Sequence, residues 1–158
     1  MANIVLNTIR PIGSEEALEQ FDYIMGDLYV SEECLEYAVF LPDWDNEVAP
    51  TKDWLQDHIG SNIAWVSHMT QTSATIRSTW SNVIPFAGLL AHHLRDYDND
   101  VRLEVTFVDE LLNFAGVGLW HQGKWHIESK DGKFFGGWTD DEVDHMLSIW
   151  LVRRKVCL

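Results

Sequence analysis

Residues 3–26, NIVLNTIRPIGSEEALEQFDYIMG, place a predicted strand directly before a predicted helix. The strand spans residues 3–12, is rich in Ile, Val, Leu and Thr, and is followed by a glycine. Ser14 is a favourable helix N-cap, and two glutamates follow it in the first turn, where the helix dipole favours anions. Apolar residues then recur at helical spacing until Gly26, where the pattern predicts the end of the helix. The predicted helix therefore has one apolar face.

The middle of the chain alternates short strands with helices. The pattern predicts, in order, a strand over residues 35–41, a short helix over 53–58, strands over 63–69 and 74–80, a helix capped by Ser81 or Asn82, and a strand centred on residues 103–107. In the strand over 74–80, Ala74, Ile76 and Trp80 are expected on one face. In the strand around 103–107, apolar and polar residues alternate, so Glu104 is expected on the exposed face of a half-buried strand.

Two further signals lie near the C-terminal end. Residues 113–120 and 124–129 are predicted to form a hairpin around Gln122-Gly123, and a two-residue loop there would pair Trp120 with Trp125 across the strands. The capping box Thr139-Asp140-Asp141-Glu142 predicts a C-terminal helix whose last turn is basic.

These elements and the length of the chain predict the fold class. A chain of 158 residues corresponds to about one domain, and it shows no internal repeat or linker. Runs of adjacent strands between helices favour an α+β fold with helices packed on one face of the sheet. We therefore expect one α+β domain over residues 1–158, with an added hairpin and a C-terminal helix.

The negative charge of the chain is concentrated near its N-terminus. The formal net charge is -14, and residues 11–51 contain no Lys or Arg. Such a balance argues against direct binding to nucleic acid, because neutralising phosphates requires basic side chains. It favours a basic partner protein through long-range attraction, although acidity can also serve solubility alone. We predict that these residues bind the partner: Glu15, Glu19, Asp22, Glu32, Glu33, Glu36, Asp43, Trp44, Asp45 and Glu47.

Trp44 is conspicuous because it lies inside an acidic loop. One interpretation is that its ring folds back onto the core. The other is that it anchors a partner, since Trp is favoured at interface hot spots.

Three segments of the chain resemble a known family. They are Met1-Ala2-Asn3 with Asn7, Thr8, Ile12, Gly13 and residues 14–21; Ser78-Thr79-Trp80-Ser81 ahead of Ile84-Pro85; and Phe107, Glu110, Phe114, Ala115 and Gly116. Together they resemble the YubB-like ferredoxin-like family of small phage and plasmid proteins, whose Thr-Ala-Trp-Ser-Pro-Pro motif matches the second segment in part. The family's Trp-Gly-Thr-Lys-Trp motif is degenerate at residues 59–63, where Gly60 is retained.

The resemblance covers residues 1–128 in patches and leaves residues 129–158 as a C-terminal extension. It implies a ferredoxin-like antiparallel sheet and a mobile-element origin. It implies no catalytic activity and no functional residue.

The histidines and aspartates form no recognisable metal site. His92 and His93 are adjacent on the predicted helix, so their side chains point in different directions. The alternating aspartates at 96, 98 and 100 lack the glycine and the final glutamate of a calcium loop. We predict neither a metal nor a cofactor.

The candidates for catalysis are equally weak. His121 and His126 flank the hairpin turn, and in the predicted register they are not cross-strand partners, which leaves open whether they share a face. Cys34 lies among glutamates that oppose thiolate formation, so we expect a poor nucleophile. No phosphate-binding loop or dinucleotide fingerprint occurs.

The sequence leads to one hypothesis and two alternatives. The hypothesis is a non-enzymatic phage protein that binds and inhibits a host protein, either in a basic groove that normally holds nucleic acid or on a protease or ATPase. The alternatives are a small enzyme that uses His121 or His126, and an oligomeric module that self-associates through its C-terminal helix. We expect a cytoplasmic location, because there is no signal peptide, membrane span or disulfide framework.

Overall fold

The computed structural model of the protein describes residues 3–44, 49–111 and 113–131. Within these ranges the helices and strands are β1 (Ile4–Ile12), α1 (Glu15–Ser31), a 3₁₀ helix (Leu35–Tyr37), α2 (Lys52–His58), β2 (Ala64–Met69), β3 (Ala74–Thr79), α3 (Ile84–Leu94), β4 (Arg102–Asp109), β5 (Phe114–His121) and β6 (Lys124–Asp131). The predicted C-terminal helix lies outside the described residues. None of the helices in the described ranges is long and apolar enough to cross a membrane.

The six strands form one antiparallel sheet in the order β2-β3-β1-β4-β5-β6. This sheet and its packed helices confirm the predicted α+β class. The predicted hairpin is also confirmed, because Trp120 lies opposite Trp125 in the β5–β6 ladder. Gln122 and Gly123 join the two strands with φ values of 50° and 80°, as a two-residue turn that matches the strand twist requires.

The core lies between one face of the sheet and the helices. Val5 and Ile9 of β1 and Val105 of β4 are fully buried on this face, together with Phe21 of α1 and Leu90 of α3. Burial of a large apolar side chain stabilises the fold by about 1.5–3 kcal/mol, so this layer holds the helices against the sheet. We call the covered side of the sheet the helix side and the other the far side.

Helix α1 does not end at Gly26 as the sequence pattern predicts. It continues to Ser31, and Glu32 follows as the C-cap in the left-handed conformation, with φ of 57°. A glycine inside a helix costs only about 1 kcal/mol. Leu28, two residues further on, is 2% exposed, so its burial outweighs that cost and keeps the helix in place.

The predicted strand over residues 35–41 is wrong. A 3₁₀ helix covers Leu35–Tyr37, and the chain then runs on without a ladder. Leu35, Ala38 and Leu41 are the buried residues of this segment. Their spacing of three matches a 3₁₀ turn rather than the alternation of a half-buried strand.

Two residues of the strands differ from the alternation that the sequence predicts. Trp80 is 63% exposed, because β3 ends at Thr79 and the chain turns away, so Ser78 is the last residue of β3 on the buried face. Glu104 is only 3% exposed although it points to the far side. The neighbouring far-side residues Val117 and Leu119 of β5 are buried as well, so this part of the sheet is buried on both faces.

The side chain of Asn7 in β1 fixes the start of α3. Val83 is the N-cap residue, one position after Asn82, but the Oδ1 atom of Asn82 accepts from the Ile84 amide at 3.1 Å, so Asn82 still caps an amide at the helix start. The Oδ1 atom of the fully buried Asn7 accepts a hydrogen bond from the Val83 amide at 3.1 Å. The Nδ2 atom of Asn7 donates to the Ser78 hydroxyl at 2.9 Å, so one amide links β1, β3 and α3.

Candidate protein-binding surface

The outer face of α1 carries three of the predicted binding residues. Glu15, Glu19 and Asp22 are all exposed, and their spacing of four and three places them along one side of the helix. Ser14 caps this helix with its hydroxyl oxygen, which accepts from the Ala17 amide at 3.2 Å. At about 1.5 Å per residue, the 17 residues of α1 extend for about 26 Å. The structure therefore brings these three carboxylates onto one surface.

The acidic residues beyond α1 continue along the chain with different degrees of exposure. Glu32, Glu33 and Asp43 are exposed, whereas Glu36 is half-buried. Burial raises the pKa of the Glu36 carboxyl, although hydrogen bonds from its own backbone amide and from the Cys34 thiol act in the opposite direction. Two further predicted binding residues, Asp45 and Glu47, lie outside the described residues.

The carboxylates of α1 are not neutralised by described cations. Within residues 3–44, 49–111 and 113–131, the one close contact between a basic side chain and a carboxylate joins His121 to Asp100. Among the basic residues of the strands, Arg10, Arg77 and Arg102 lie on the far side of the sheet, because their ladder positions alternate with the buried residues of the helix side. The outer face of α1 and these arginines therefore lie on opposite sides of the sheet.

The turn between α3 and β4 adds acidic residues that the sequence analysis did not assign to this surface. Asp98 accepts a hydrogen bond from the Ser14 amide at 2.7 Å, which places the turn against the start of α1. Its other carboxylate oxygen accepts from the Asp100 amide at 2.9 Å, so both oxygens form hydrogen bonds with backbone amides. Asp96 and Asp100 are exposed beside it. Sequence spacing alone gives no sign that this turn meets the first helix turn.

Trp44 belongs to a row of four aromatic rings. Its ring centroid lies 5.6 Å from that of Tyr37 and 5.5 Å from that of Trp54, in both cases edge to face. Trp54 in turn stacks on His58 with centroids 4.4 Å apart. Trp44 is half-buried, so it packs on neighbouring rings and keeps part of its surface accessible. We call Tyr37, Trp44, Trp54 and His58 the aromatic row.

The surroundings of Cys34 disfavour its thiolate form. Burial raises the pKa of its thiol, and the charge and hydrogen bond of Glu36 raise it further. Because the thiolate is the reactive form, a raised pKa makes Cys34 a poor nucleophile near neutral pH. Burial is the main cause, which the sequence analysis did not anticipate.

The histidines lie in separate environments. His121 and His126 share the far side of the sheet, since their ladder partners Lys124 and Leu119 do. The Nε2 atom of His121 lies 2.7 Å from Asp100 Oδ1, and this hydrogen bond is the main reason that the pKa of Asp100 lies below its usual value.

His93 is half-buried and stacks on Phe40 with centroids 5.5 Å apart, as a packed aromatic side chain does. Within the described ranges, no group of three or more His, Cys, Asp or Glu residues has the arrangement of a metal site. His58 and His93 therefore pack on aromatic rings, and His121 forms a hydrogen bond with a carboxylate.

An open cleft of about 460 Å³ lies on the helix side of the sheet at the start of α3. Its lining is mostly apolar and consists of Asn82, Ile84, Pro85, Phe107, Phe114, Ile127 and Ser129. No histidine or carboxylate is among these residues, so the His121–Asp100 pair does not face this cleft.

Comparisons with known proteins do not assign this chain to a family. No protein-family model, curated protein or solved structure matches the chain. The resemblance to the YubB-like ferredoxin-like family therefore stays a prediction from sequence motifs, and a function for this chain has to come from its own residues.

Proposed function

We propose that the protein is a non-enzymatic accessory protein that binds a basic surface of a host protein in the cytoplasm and inhibits it. The observation that carries this proposal is the outer face of α1, where Glu15, Glu19 and Asp22 are exposed and form no ion pair with a described residue. The exposed Glu32 and Glu33 continue the same charge beyond the helix. A surface of this kind attracts cationic partners and repels phosphate backbones.

A groove that normally holds nucleic acid is the target we propose. Glu15, Glu19 and Asp22 extend along about 10 Å of α1, and their carboxylates imitate the charge of a short stretch of phosphate backbone without its duplex geometry. Long-range attraction would raise the rate of association, whereas the packed contacts formed afterwards would set the rate of dissociation. Occupation of the groove would exclude the nucleic acid and inhibit the host protein.

We also propose that the first part of the chain is a ferredoxin-like unit of mobile-element origin. The succession β1-α1-β2-β3-α3-β4, with strand order β2-β3-β1-β4, supports this arrangement. The 3₁₀ helix and α2 then form an insertion between α1 and β2, and β5 and β6 extend the sheet beyond β4. Its small size and the motif resemblance support an origin in a phage or plasmid.

The experiment begins with capture of host proteins by the immobilised protein from a bacterial lysate at about 50 mM and about 500 mM NaCl. The association rate with the purified captured protein is then measured across the same range of salt. We expect the rate to fall steeply as the salt concentration rises. A duplex DNA oligonucleotide should compete with the protein for the same partner.

Two variants of α1 separate charge from shape. Glu15→Gln, Glu19→Gln and Asp22→Asn together remove three charges, and we expect association to slow by about tenfold. Glu15→Asp, Glu19→Asp and Asp22→Glu keep the charges and should leave the rate close to that of the unaltered protein. Equal association rates for the neutral variant and the unaltered protein would contradict the proposal.

A further inference from the structure

The aromatic row lies next to the acidic residues in sequence and has a fixed geometry. The interplanar angles are 82° between Tyr37 and Trp44 and 72° between Trp44 and Trp54, so adjacent rings meet edge to face. An edge-to-face pair leaves ring faces open that a stacked pair would cover. The row thus offers ring faces at its Tyr37 end, where that side chain is 55% exposed.

The opposite end of the row is held in place by α2. The Nδ1 atom of His58 lies 2.8 Å from the Trp54 carbonyl oxygen, and the two rings stack with an interplanar angle of 20°. The Thr51 hydroxyl accepts from the Trp54 amide at 3.1 Å and caps the helix that carries both rings. Trp54 is therefore a fixed support for Trp44, and little ordering would be required when a ligand binds.

Each segment that contributes a ring to the row also carries a carboxylate close to that ring in sequence. Glu36 precedes Tyr37, Asp43 precedes Trp44, and Asp53 and Asp57 lie on α2 with Trp54. Asp43, Asp53 and Asp57 are exposed, and the nearest basic residue along the chain is Lys52. The electron-rich faces of aromatic rings and these carboxylates attract the same kind of group, a cation.

Among cationic side chains, arginine fits this combination best. Its guanidinium group is planar, stacks on aromatic faces, and bonds carboxylates through a fork of donors. The lysine ammonium is a compact, strongly hydrated charge that gains less from a ring face. A surface with carboxylates alone would not distinguish the two cations in this way.

We propose that the aromatic row docks arginine side chains of the basic partner, with each guanidinium stacked on one accessible ring face, that of Tyr37 or that of Trp44, and the carboxylates of Glu36 and Asp43 as counter-charges. Charge complementarity between this surface and an arginine-rich segment is the basis of the assignment. The inference rests on the proposed function, because it names the chemistry of the same basic partner. In this arrangement α1 attracts the partner at long range, and the aromatic row selects arginine at contact.

The test compares two labelled peptides of equal length and charge, one of alternating Gly and Arg and the other of alternating Gly and Lys. Their affinities for the full chain are measured by fluorescence anisotropy at low and high salt. We expect the arginine peptide to bind about tenfold more tightly than the lysine peptide. Both affinities should fall as salt rises.

Substitutions in the aromatic row test whether these rings cause the preference for the arginine peptide. Tyr37→Leu and Trp44→Leu, singly and together, should reduce the preference for arginine towards unity and leave the affinity for the lysine peptide nearly unchanged. Trp44→Phe keeps a ring and should keep most of the preference. Tyr23→Leu is the matched control, because Tyr23 is a 66% exposed tyrosine on the acidic helix α1, outside the row. Circular dichroism identifies any variant that does not fold, and the exposed Tyr37→Leu then decides alone.

The outcomes separate the inference from the proposed function. Equal affinity for both peptides, or an arginine preference that survives Tyr37→Leu, overturns the role of the aromatic row. Salt-dependent binding of both peptides would still support an acidic surface that binds basic partners. Failure of both peptides to bind at low salt would contradict the inference and the proposed function together.

Discussion

Replacing Asn7 with alanine tests the contact that joins β1, β3 and α3. Asn7 is fully buried, and its side-chain amide donates to the Ile76 carbonyl at 3.2 Å and to the Ser78 hydroxyl at 2.9 Å, while its oxygen accepts from the Val83 amide at 3.1 Å. Ser78 keeps a second partner, because its hydroxyl also donates to the Ser81 carbonyl at 2.6 Å. The Val83 amide would lose its acceptor inside the protein.

The expected loss of stability follows from these contacts. A buried amide left without an acceptor costs about 2 kcal/mol, and loss of the bond to Ser78 costs about 1 kcal/mol more. For a domain of this size, about 3 kcal/mol corresponds to a fall of roughly 10 °C in melting temperature. Asn7→Ala should therefore shift the urea midpoint strongly and leave the slope of the transition unchanged.

Asn7→Asp provides a control of nearly the same shape. A carboxylate can accept from the Val83 amide but cannot donate to the Ile76 carbonyl, and burial disfavours its charge. Its pKa in the folded state should be raised, so the variant should be closest to the unaltered protein at low pH and lose stability as pH rises. A loss below about 1 kcal/mol for Asn7→Ala would refute the assigned role of this amide.

Three further predictions concern titratable groups. Burial raises the pKa of the Glu36 carboxyl in the folded state, so the protonated carboxyl contributes stability at low pH and this contribution is lost as pH rises. Glu36→Gln should therefore be more resistant to urea than the unaltered protein at neutral pH. This difference in stability should fade below about pH 4. The hydrogen bond with His121 lowers the pKa of Asp100, so the ionised carboxylate contributes stability at neutral pH and this contribution is lost in acid. In Asp100→Asn, the free energy of unfolding should therefore fall less steeply as the pH is lowered. Cys34 should react with iodoacetamide more slowly than a free thiol, and Glu36→Gln should accelerate the reaction, whereas an unchanged rate would contradict the role of Glu36.

The elements with regular patterns were predictable from the sequence. β1, α2 and the β5–β6 hairpin lie within a residue or two of their predicted positions, and Trp120 pairs with Trp125 as expected. In these segments local propensity, turn chemistry and periodicity favour the same structure. The order of the strands was not predictable in this way, because no local pattern determines which strands pair across the sheet.

The errors arise where tertiary contacts outweigh a local signal. Gly26 resembles a helix end, yet the burial of Leu28 continues the helix past it. Trp80 resembles the next buried residue of a strand, yet it lies in the left-handed conformation with φ of 68°. A bulky residue rarely adopts this conformation, so no pattern of hydrophobicity could have predicted it.

The candidate surface was predictable in part for the same reason. Glu15, Glu19 and Asp22 of α1 had to lie outside once the apolar stripe of that helix was assigned, because the two faces of one helix cannot be chosen independently. The contact between Asp98 and the Ser14 amide joins segments far apart in sequence. The aromatic row likewise joins residues of the 3₁₀ helix, the following loop and α2, which only the fold brings together.

The packing of the core determines where the acidic surface lies. Phe21, Met25 and Leu28 bury one side of α1 against the sheet, and this fixes the rotation of the helix. A rotation that hid Glu19 would expose these side chains and cost several kcal/mol of buried apolar surface. The carboxylates are thus held at the surface by the stability of the domain itself. Substitutions there can change charge with little effect on folding, whereas substitutions on the buried side of α1 cannot separate folding from binding.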